Sequence, residues 1–177
     1  MPLTPADPAS SSAYRIGALA LFGAAAVILA ALAFEYWGGY QPCPLCLQQR
    51  YAYYAGIPVL FIALVLIGAN YNKLAAVLFA AVALGFLVNA GIGTYQSGME
   101  WKFWDAPTTC TAEAAGTPGT GSGSMLERLA RAKAVRCDEP SFRFLGLSFA
   151  GWNVVTSLLL MVGAATAALR SVRVNRR

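Results

Sequence analysis

Four long apolar stretches constrain this chain more than any other feature of its sequence. They run from about residue 16 to 36, 47 to 68, 74 to 95 and 145 to 169, and none has a Lys, Arg or Asp at its centre. A helix needs about 20 apolar residues to cross the hydrocarbon core of a bilayer. The sequence therefore predicts an all-α integral membrane protein with four spanning helices.

Composition excludes several other classes of protein. Of the 177 residues, 58% are hydrophobic and 12% are charged, against about 45–50% and about 25% in soluble domains. The net charge of +5 comes from basic residues that lie mostly at segment ends, without the basic, aromatic-interleaved stripe of a nucleic-acid binder. The chain has no His, which excludes His-dependent triads, HExxH zinc sites and CxxCH haem attachment.

The first apolar stretch is predicted to be a retained span rather than a cleaved signal peptide. Its leader has Arg15 as its single basic residue and also carries Asp7, and the apolar run is too long for a signal h-region. The Lys and Arg residues then place both termini and the 69–73 connection in the cytoplasm. The 37–46 and 96–144 loops lie on the other side, where all four Cys residues and the interface Trp residues also fall.

The first outer loop reads GGYQPCPLCLQQR. Pro44 suits the first turn of the second helix, so we expect Cys43 at or near the N-cap and Cys46 in the first turn. The positive end of the helix dipole favours a thiolate there. Arg50 follows Cys46 by four residues and lies one turn away on the same face. A structural disulfide or half a metal site, with Arg50 as an interface anchor, is the alternative; small CxxC rings are more often redox-active.

The second outer loop carries Cys110, a Gly/Ser/Thr-rich linker over 116–124, the segment MLERLARAKAVR and Cys137. That segment predicts a short amphipathic helix on the bilayer surface, with a solvated loop helix as the alternative. Four Cys residues allow three pairings. Cys43–Cys46 is sterically natural, which leaves Cys110–Cys137, either as a bridge that exchanges with an outside protein or as a tether of the loop.

Two disulfides on the outer face suggest an electron relay. Thiolate attack would carry electrons from the Cys110–Cys137 pair to the Cys43–Cys46 pair. Because the latter pair lies where a span meets the bilayer surface, we expect a lipid-soluble acceptor such as a quinone. Arg50 would stabilise the negative charge that develops on a quinone oxygen.

The segments QPCPLCLQQR and RCDEPSFRFLGLSFAGWN, the second of which contains Cys137, and the long outer loop with Cys110 between them resemble the DsbB family over nearly the whole chain. The resemblance implies a single-domain four-helix bundle in the bacterial inner membrane. Such a protein reoxidises the periplasmic dithiol oxidase DsbA and passes the electrons to a ubiquinone-type quinone or a menaquinone. It also implies that Cys46 meets the quinone, that Arg50 supports it, and that Cys110, paired with Cys137, forms the mixed disulfide with DsbA.

One departure from the family lies near the end of the third span. Many relatives have a His in a YHxGVEW-like run, and this chain has Gln96 in YQSGMEW. Gln96 can donate a hydrogen bond to a quinone oxygen but cannot titrate, so a proton step would use water or Glu100. The plainer interpretation of Glu100, which we favour at this point, is an ordinary interface residue.

Two other functions compete with the thiol:quinone oxidoreductase. The four Cys residues could hold a structural zinc ion, although such sites usually use two closely spaced pairs. The chain could also be a small transporter or scaffold whose disulfides only hold its loops in place, although the spans lack inward charges and an obvious internal repeat.

Overall fold

The computed structural model describes residues 12–40, 42–105 and 143–174. The predicted surface helix lies outside the described residues. The elements in chain order are α1 (Ser12–Tyr36), α2 (Pro44–Gly68), α3 (Asn72–Glu100), β1 (Arg143–Phe144), β2 (Leu147–Ser148) and α4 (Phe149–Val174).

All four long helices are long and apolar enough to cross a membrane. The predicted all-α membrane architecture is confirmed, with shifted helix ends. The second helix begins at Pro44 instead of residue 47, and the third continues to Glu100 instead of ending at residue 95. A prediction from apolar residues ends a helix at the first polar side chains. The backbone hydrogen bonds of α3 continue past those side chains, so the helix is longer than its apolar stretch.

The start of the fourth span differs from the prediction in kind, because a hairpin stands where the helix was expected to begin. The strands β1 and β2 pair as an antiparallel hairpin, and the helix begins only at Phe149. Leu145 and Gly146 form the turn with φ values of 52° and 83°, the positive values that a tight two-residue hairpin turn requires. The Ser148 hydroxyl then accepts a hydrogen bond from the Gly151 N–H at 3.2 Å, which caps α4.

The connection between α2 and α3 is a tight helix stop. Asn70 adopts a left-handed φ of 64°. Its N–H donates to the Ile67 carbonyl at 3.0 Å, and the Tyr71 N–H donates to the Leu66 carbonyl at 2.8 Å. This pair of bonds is a Schellman motif, which satisfies the last carbonyls of α2. The motif turns the chain back on itself within three residues, so α2 and α3 form an antiparallel hairpin.

The four helices pack as a ring in which each contacts its chain neighbour and α1 contacts α4. Small side chains dominate the α1–α4 side of the core, including Ala20, Ala24, Ala164 and Ala167, and the aromatic rings of Phe79 and Phe86 fill the centre. Lipid tails are as apolar as the helices, so close backbone approach through small residues supplies much of the packing energy.

Gly17 provides a test of this packing. A Cβ on Gly17 would lie 2.6 Å from Phe79 Cζ and 3.0 Å from Leu64 Cδ2, whereas a Cβ on Gly91 meets nothing within 4 Å. We expect Gly17→Val to destabilise the detergent-solubilised protein by about 1–3 kcal/mol through overpacking. Thermal unfolding should show a lower Tm than for the control Gly91→Val; equal Tm values would contradict this packing.

Candidate active site

A cavity of about 590 Å³ opens among the helices at one end of the bundle. The end of α1, the start of α2, the end of α3 and the start of α4 all contribute to its lining. Its apolar walls include Val27, Ile28, Phe34 and Phe149, and its polar groups include those of Arg50 and Gln96. The cavity therefore combines a largely apolar interior with a few convergent polar side chains, as ligand sites commonly do.

Cys43 and Cys46 line this cavity at the start of α2. Cys43 is the N-cap residue, Pro44 follows it in the first turn, and the Cys43 Sγ accepts a hydrogen bond from the Cys46 N–H at 3.2 Å. The two Sγ atoms are 2.7 Å apart. Cys43 is buried against Met99, and Cys46 is partly exposed. The predicted local arrangement of the CxxC segment is therefore observed, with both sulfurs at a helix N-terminus.

Gln96 faces this sulfur pair from the end of α3. Its Nε2 lies 3.3 Å from the Cys43 Sγ and 3.2 Å from the Cys46 Sγ. The side chain is only 3% exposed and also lines the cavity. Gln96 is thus positioned to donate hydrogen bonds to sulfur.

A chain of buried and partly buried polar groups continues from Gln96 into the bundle. Gln49 Nε2 donates to Gln96 Oε1 at 2.7 Å, and Asn153 Nδ2 donates to Gln49 Oε1 at 2.6 Å. Asn153 Oδ1 in turn accepts from the Tyr53 hydroxyl at 2.8 Å. Asn89 Nδ2 donates to the Ser157 hydroxyl at 2.9 Å and lies 3.4 Å from the same Asn153 oxygen. These bonds tie α2, α3 and α4 together.

Arg50 forms an ion pair with Glu35, which lies at the end of α1. Their side chains are 13% and 26% exposed, and both line the cavity. A guanidinium carries five N–H donors, so Arg50 can bond Glu35 and still present donors to the cavity. The sequence signal for this pair was the presence of opposite charges near facing ends of adjacent spans, with Glu35 near the end of the first span and Arg50 near the start of the second.

The structure corrects the interpretation of Glu100 that we favoured from the sequence. Glu100 is 7% exposed and lines the cavity, so it is a buried site residue and not an ordinary interface residue. Its Oε2 has no hydrogen-bond partner among the described residues. Because α3 runs one turn beyond Gln96, it carries Glu100 into the bundle.

An aromatic rim surrounds the cavity end of the bundle. The rings of Phe34, Tyr40 and Phe149 pack edge to face, with centroids 5.3–6.4 Å apart. Trp104 stacks on Tyr95 and donates to its carbonyl oxygen at 3.1 Å. This indole lies where a side chain on residue 98 would point, since a Cβ on Gly98 would come within 2.0 Å of it.

The structure thus brings together four of the six predicted site residues, namely Cys43, Cys46, Arg50 and Gln96, around one cavity. The other two, Cys110 and Cys137, lie outside the described residues. Sequence analysis missed Gln49 and Asn153, which look like ordinary polar residues near helix ends. Within residues 12–40, 42–105 and 143–174, no group of three or more Cys, Asp or Glu side chains is arranged to hold a metal ion.

Comparisons with known proteins agree on one relationship. Residues 14–167 match the family model described as disulfide bond formation protein DsbB. The chain is 31% identical over 153 residues to the disulfide bond formation protein B of Methylococcus capsulatus, covering 76% of this chain and 80% of the relative. The protein of the same name from Acidovorax sp. is 30% identical over 81% of this chain and 82% of its own length.

A third relative extends this coverage. The disulfide bond formation protein B of Polaromonas naphthalenivorans is 26% identical over 90% of this chain and 93% of its own length. No solved structure matches the chain significantly.

Proposed function

This chain belongs to the DsbB family of membrane proteins that support disulfide bond formation, and we propose that it is a thiol:quinone oxidoreductase. In this proposal it reoxidises a DsbA-type periplasmic dithiol protein and passes the electrons to a membrane quinone. The observation that carries the proposal is the sulfur pair of Cys43 and Cys46 in the wall of a largely apolar cavity that also presents Arg50.

The residues around the cavity fit a quinone. A quinone has a flat ring with polar oxygens on opposite edges and an apolar tail. The apolar residues of α1 and the aromatic rings of Phe34 and Phe149 suit the ring and tail, while Arg50 and Gln96 supply N–H donors for an oxygen. When bound, the quinone supplies an acceptor for two electrons and two protons.

The Cys43–Cys46 pair would supply those electrons. In the reduced pair, the two S–H bonds break and one S–S bond forms, which releases two electrons and two protons. The N-cap position of Cys43 and the first-turn position of Cys46 favour the thiolate that such chemistry needs. Cys46 is the more exposed of the two, which supports its assignment as the sulfur that faces the acceptor.

Arg50 and Gln96 would hold the acceptor oxygen as negative charge develops on it. A fixed cation and N–H donors in a water-poor site stabilise such charge more strongly than they would in water. The ion pair with Glu35 fixes the Arg50 side chain against the wall, so the guanidinium is already oriented before the acceptor arrives.

The Cys110–Cys137 pair would receive electrons from the soluble partner. A thiolate of the partner attacks Cys110, a mixed disulfide forms, and the second partner thiol resolves it, which leaves Cys110 and Cys137 as thiols. Exchange with the Cys43–Cys46 disulfide then restores the loop disulfide. Each exchange moves two electrons and conserves the number of S–S bonds.

The orientation that suits this route has the cysteines on the periplasmic side of the inner membrane and both termini in the cytoplasm. The basic residues support it, because Arg15, Lys73, Arg170 and Arg173 lie at the helix ends opposite the cavity, as the excess of positive charge in cytoplasmic segments requires.

The central experiment mixes the detergent-purified protein with a reduced DsbA-type protein and a soluble quinone analogue, and follows quinone absorbance. We expect multiple turnovers for the native chain and none for Cys46→Ser, because one sulfur cannot form the disulfide. Turnover that survives in Cys46→Ser would contradict the proposal. Stoichiometric zinc in the purified protein without a disulfide would favour the structural alternative instead.

Arg50→Gln tests the proposed acceptor contact. Loss of a charged donor to an oxygen costs about 1.5–3 kcal/mol, so we expect the KM for the quinone analogue to rise at least about tenfold. The matched control is Arg170→Gln, which removes a cation at the opposite end of the bundle and should leave KM unchanged. An unchanged KM in Arg50→Gln would remove this residue from the site.

The roles of the loop cysteines are tested by trapping. With the partner supplied as its disulfide, we expect the Cys110 thiol of Cys137→Ala to attack that disulfide, releasing one partner thiol and accumulating a mixed disulfide, because the second loop sulfur that would resolve it is absent. Cys110→Ala should trap nothing. Non-reducing electrophoresis distinguishes the two, and the opposite pattern would exchange the roles of these residues.

A further inference from the structure

We propose that Gln96, oriented by Gln49 and Asn153, sets the redox equilibrium of the Cys43–Cys46 pair by donating hydrogen bonds that stabilise its reduced form. Gln49 and Asn153 are positioning residues in this proposal, because Gln49 bonds the amide of Gln96 and Asn153 bonds that of Gln49. The inference rests on the proposed redox role of the sulfur pair and adds the side chains that tune it.

The Gln96 amide is placed to donate to both sulfurs. Its Nε2 lies within 3.3 Å of both sulfurs, inside the distance range at which N–H groups bond sulfur. Gln96 is 3% exposed and Cys43 is 4% exposed, so water competes little for these bonds. In such surroundings, a hydrogen bond to a charged sulfur is stronger than one in water.

The polar chain determines how the Gln96 amide is oriented. An amide group has a carbonyl that accepts and an NH₂ that donates. The Gln49 NH₂ is directed at Gln96 Oε1, and the Asn153 NH₂ is directed at Gln49 Oε1. The oxygen of Gln96 is therefore occupied, and its two N–H groups face the sulfurs, the Glu100 carboxyl and the cavity. Removal of either positioning residue would free Gln96 to rotate.

The end of the chain farthest from the sulfurs anchors Asn153. Its Oδ1 accepts from the Tyr53 hydroxyl at 2.8 Å and is approached by Asn89 Nδ2. With its oxygen engaged there, the Asn153 NH₂ points toward Gln49. The direction of every amide in the chain is thus linked from the bundle interior to the sulfur pair.

This arrangement changes the relative stability of the reduced and oxidised sulfur pair. Reduction of the Cys43–Cys46 disulfide adds two electrons and two protons and gives two thiols, of which one can lose its proton to become a thiolate. Hydrogen bonds to an ionised acceptor are roughly twice as strong as those to a neutral one. Gln96 therefore stabilises the reduced pair more than the disulfide, and stabilisation of the reduced form makes a disulfide a stronger oxidant.

The test is a redox titration in the full chain with Cys110→Ser and Cys137→Ser, so that a single pair titrates. Against dithiothreitol, we expect Gln96→Leu to lower the equilibrium constant for reduction about tenfold, which corresponds to about 30 mV for a two-electron couple. The thiolate absorbance of the reduced protein at neutral pH should fall in parallel. Gln96→Glu should lower the constant at least as far, because a carboxylate beside a thiolate repels it.

The control is Ser171→Ala. Ser171 is fully buried near the end of α4, and its hydroxyl donates to the Ala167 carbonyl at 2.9 Å, at the end of the bundle opposite the sulfurs. Its replacement also removes a buried hydrogen bond but leaves the polar chain that orients Gln96 intact, so the redox constant should stay unchanged. An equal shift in Ser171→Ala would mean that general loosening of the bundle moves the equilibrium, and would overturn the proposal.

The positioning role is tested by a double-mutant cycle. We expect Gln49→Leu to lower the constant by about threefold to tenfold in the native background and to have no further effect in a Gln96→Leu background, because it acts through Gln96. Additive effects would overturn the positioning role. An unchanged constant in Gln96→Leu and Gln96→Glu would overturn the whole inference.

These titrations require neither quinone nor partner protein. If the redox constant of the sulfur pair depends on Gln96 as expected but the native chain fails to reduce quinone, the proposed function is wrong and the role of Gln96 is supported. If the native chain reduces quinone but the variants have the same redox constant as the native chain, the role of Gln96 is wrong and the proposed function is supported.

Discussion

The amide chain from Asn153 through Gln49 to Gln96 is the interaction on which the rest of this structure depends. Gln49 and Gln96 are buried, and a buried amide without a hydrogen-bond partner is costly, so each must bond another part of the protein. Because the three residues come from α4, α2 and α3, the need to satisfy them fixes how these helices are rotated against one another. The same bonds direct an N–H group at the two sulfurs, so packing of the bundle and chemistry of the site share one set of contacts.

Glu35 and Arg50 complete the arrangement by joining α1 to α2. With this ion pair, every helix of the ring contributes a polar side chain to the same end of the bundle, whereas the α1–α4 side of the core is built from small apolar residues. The apolar part permits close packing with little directional preference. The hydrogen bonds of the polar end determine how the helices are rotated against one another, and they lie around the cavity that holds the sulfurs.

Much of the fold could be predicted from the sequence because a spanning helix leaves a long, continuous signal. The capping geometry at Cys43 and Pro44 was also predictable, since it depends on local chemistry. The hairpin before α4 was not, because its Phe, Leu and Gly residues are as apolar as the span that they precede. Gln49, Asn153 and the buried position of Glu100 were missed for a different reason: their contacts depend on helix rotation, which periodicity does not determine when nearly every face is apolar.

The Schellman turn between α2 and α3 has a mechanical consequence. It joins the two helices within three residues, about 37 Å along α2 from Cys43 at 1.5 Å per residue. The turn therefore fixes the spacing of α2 and α3 at the end opposite the cavity, and the Gln49–Gln96 hydrogen bond joins the same two helices at the cavity end. Any separation of α2 from α3 at the cavity has to break this amide bond, while the turn keeps the helices paired at their other end.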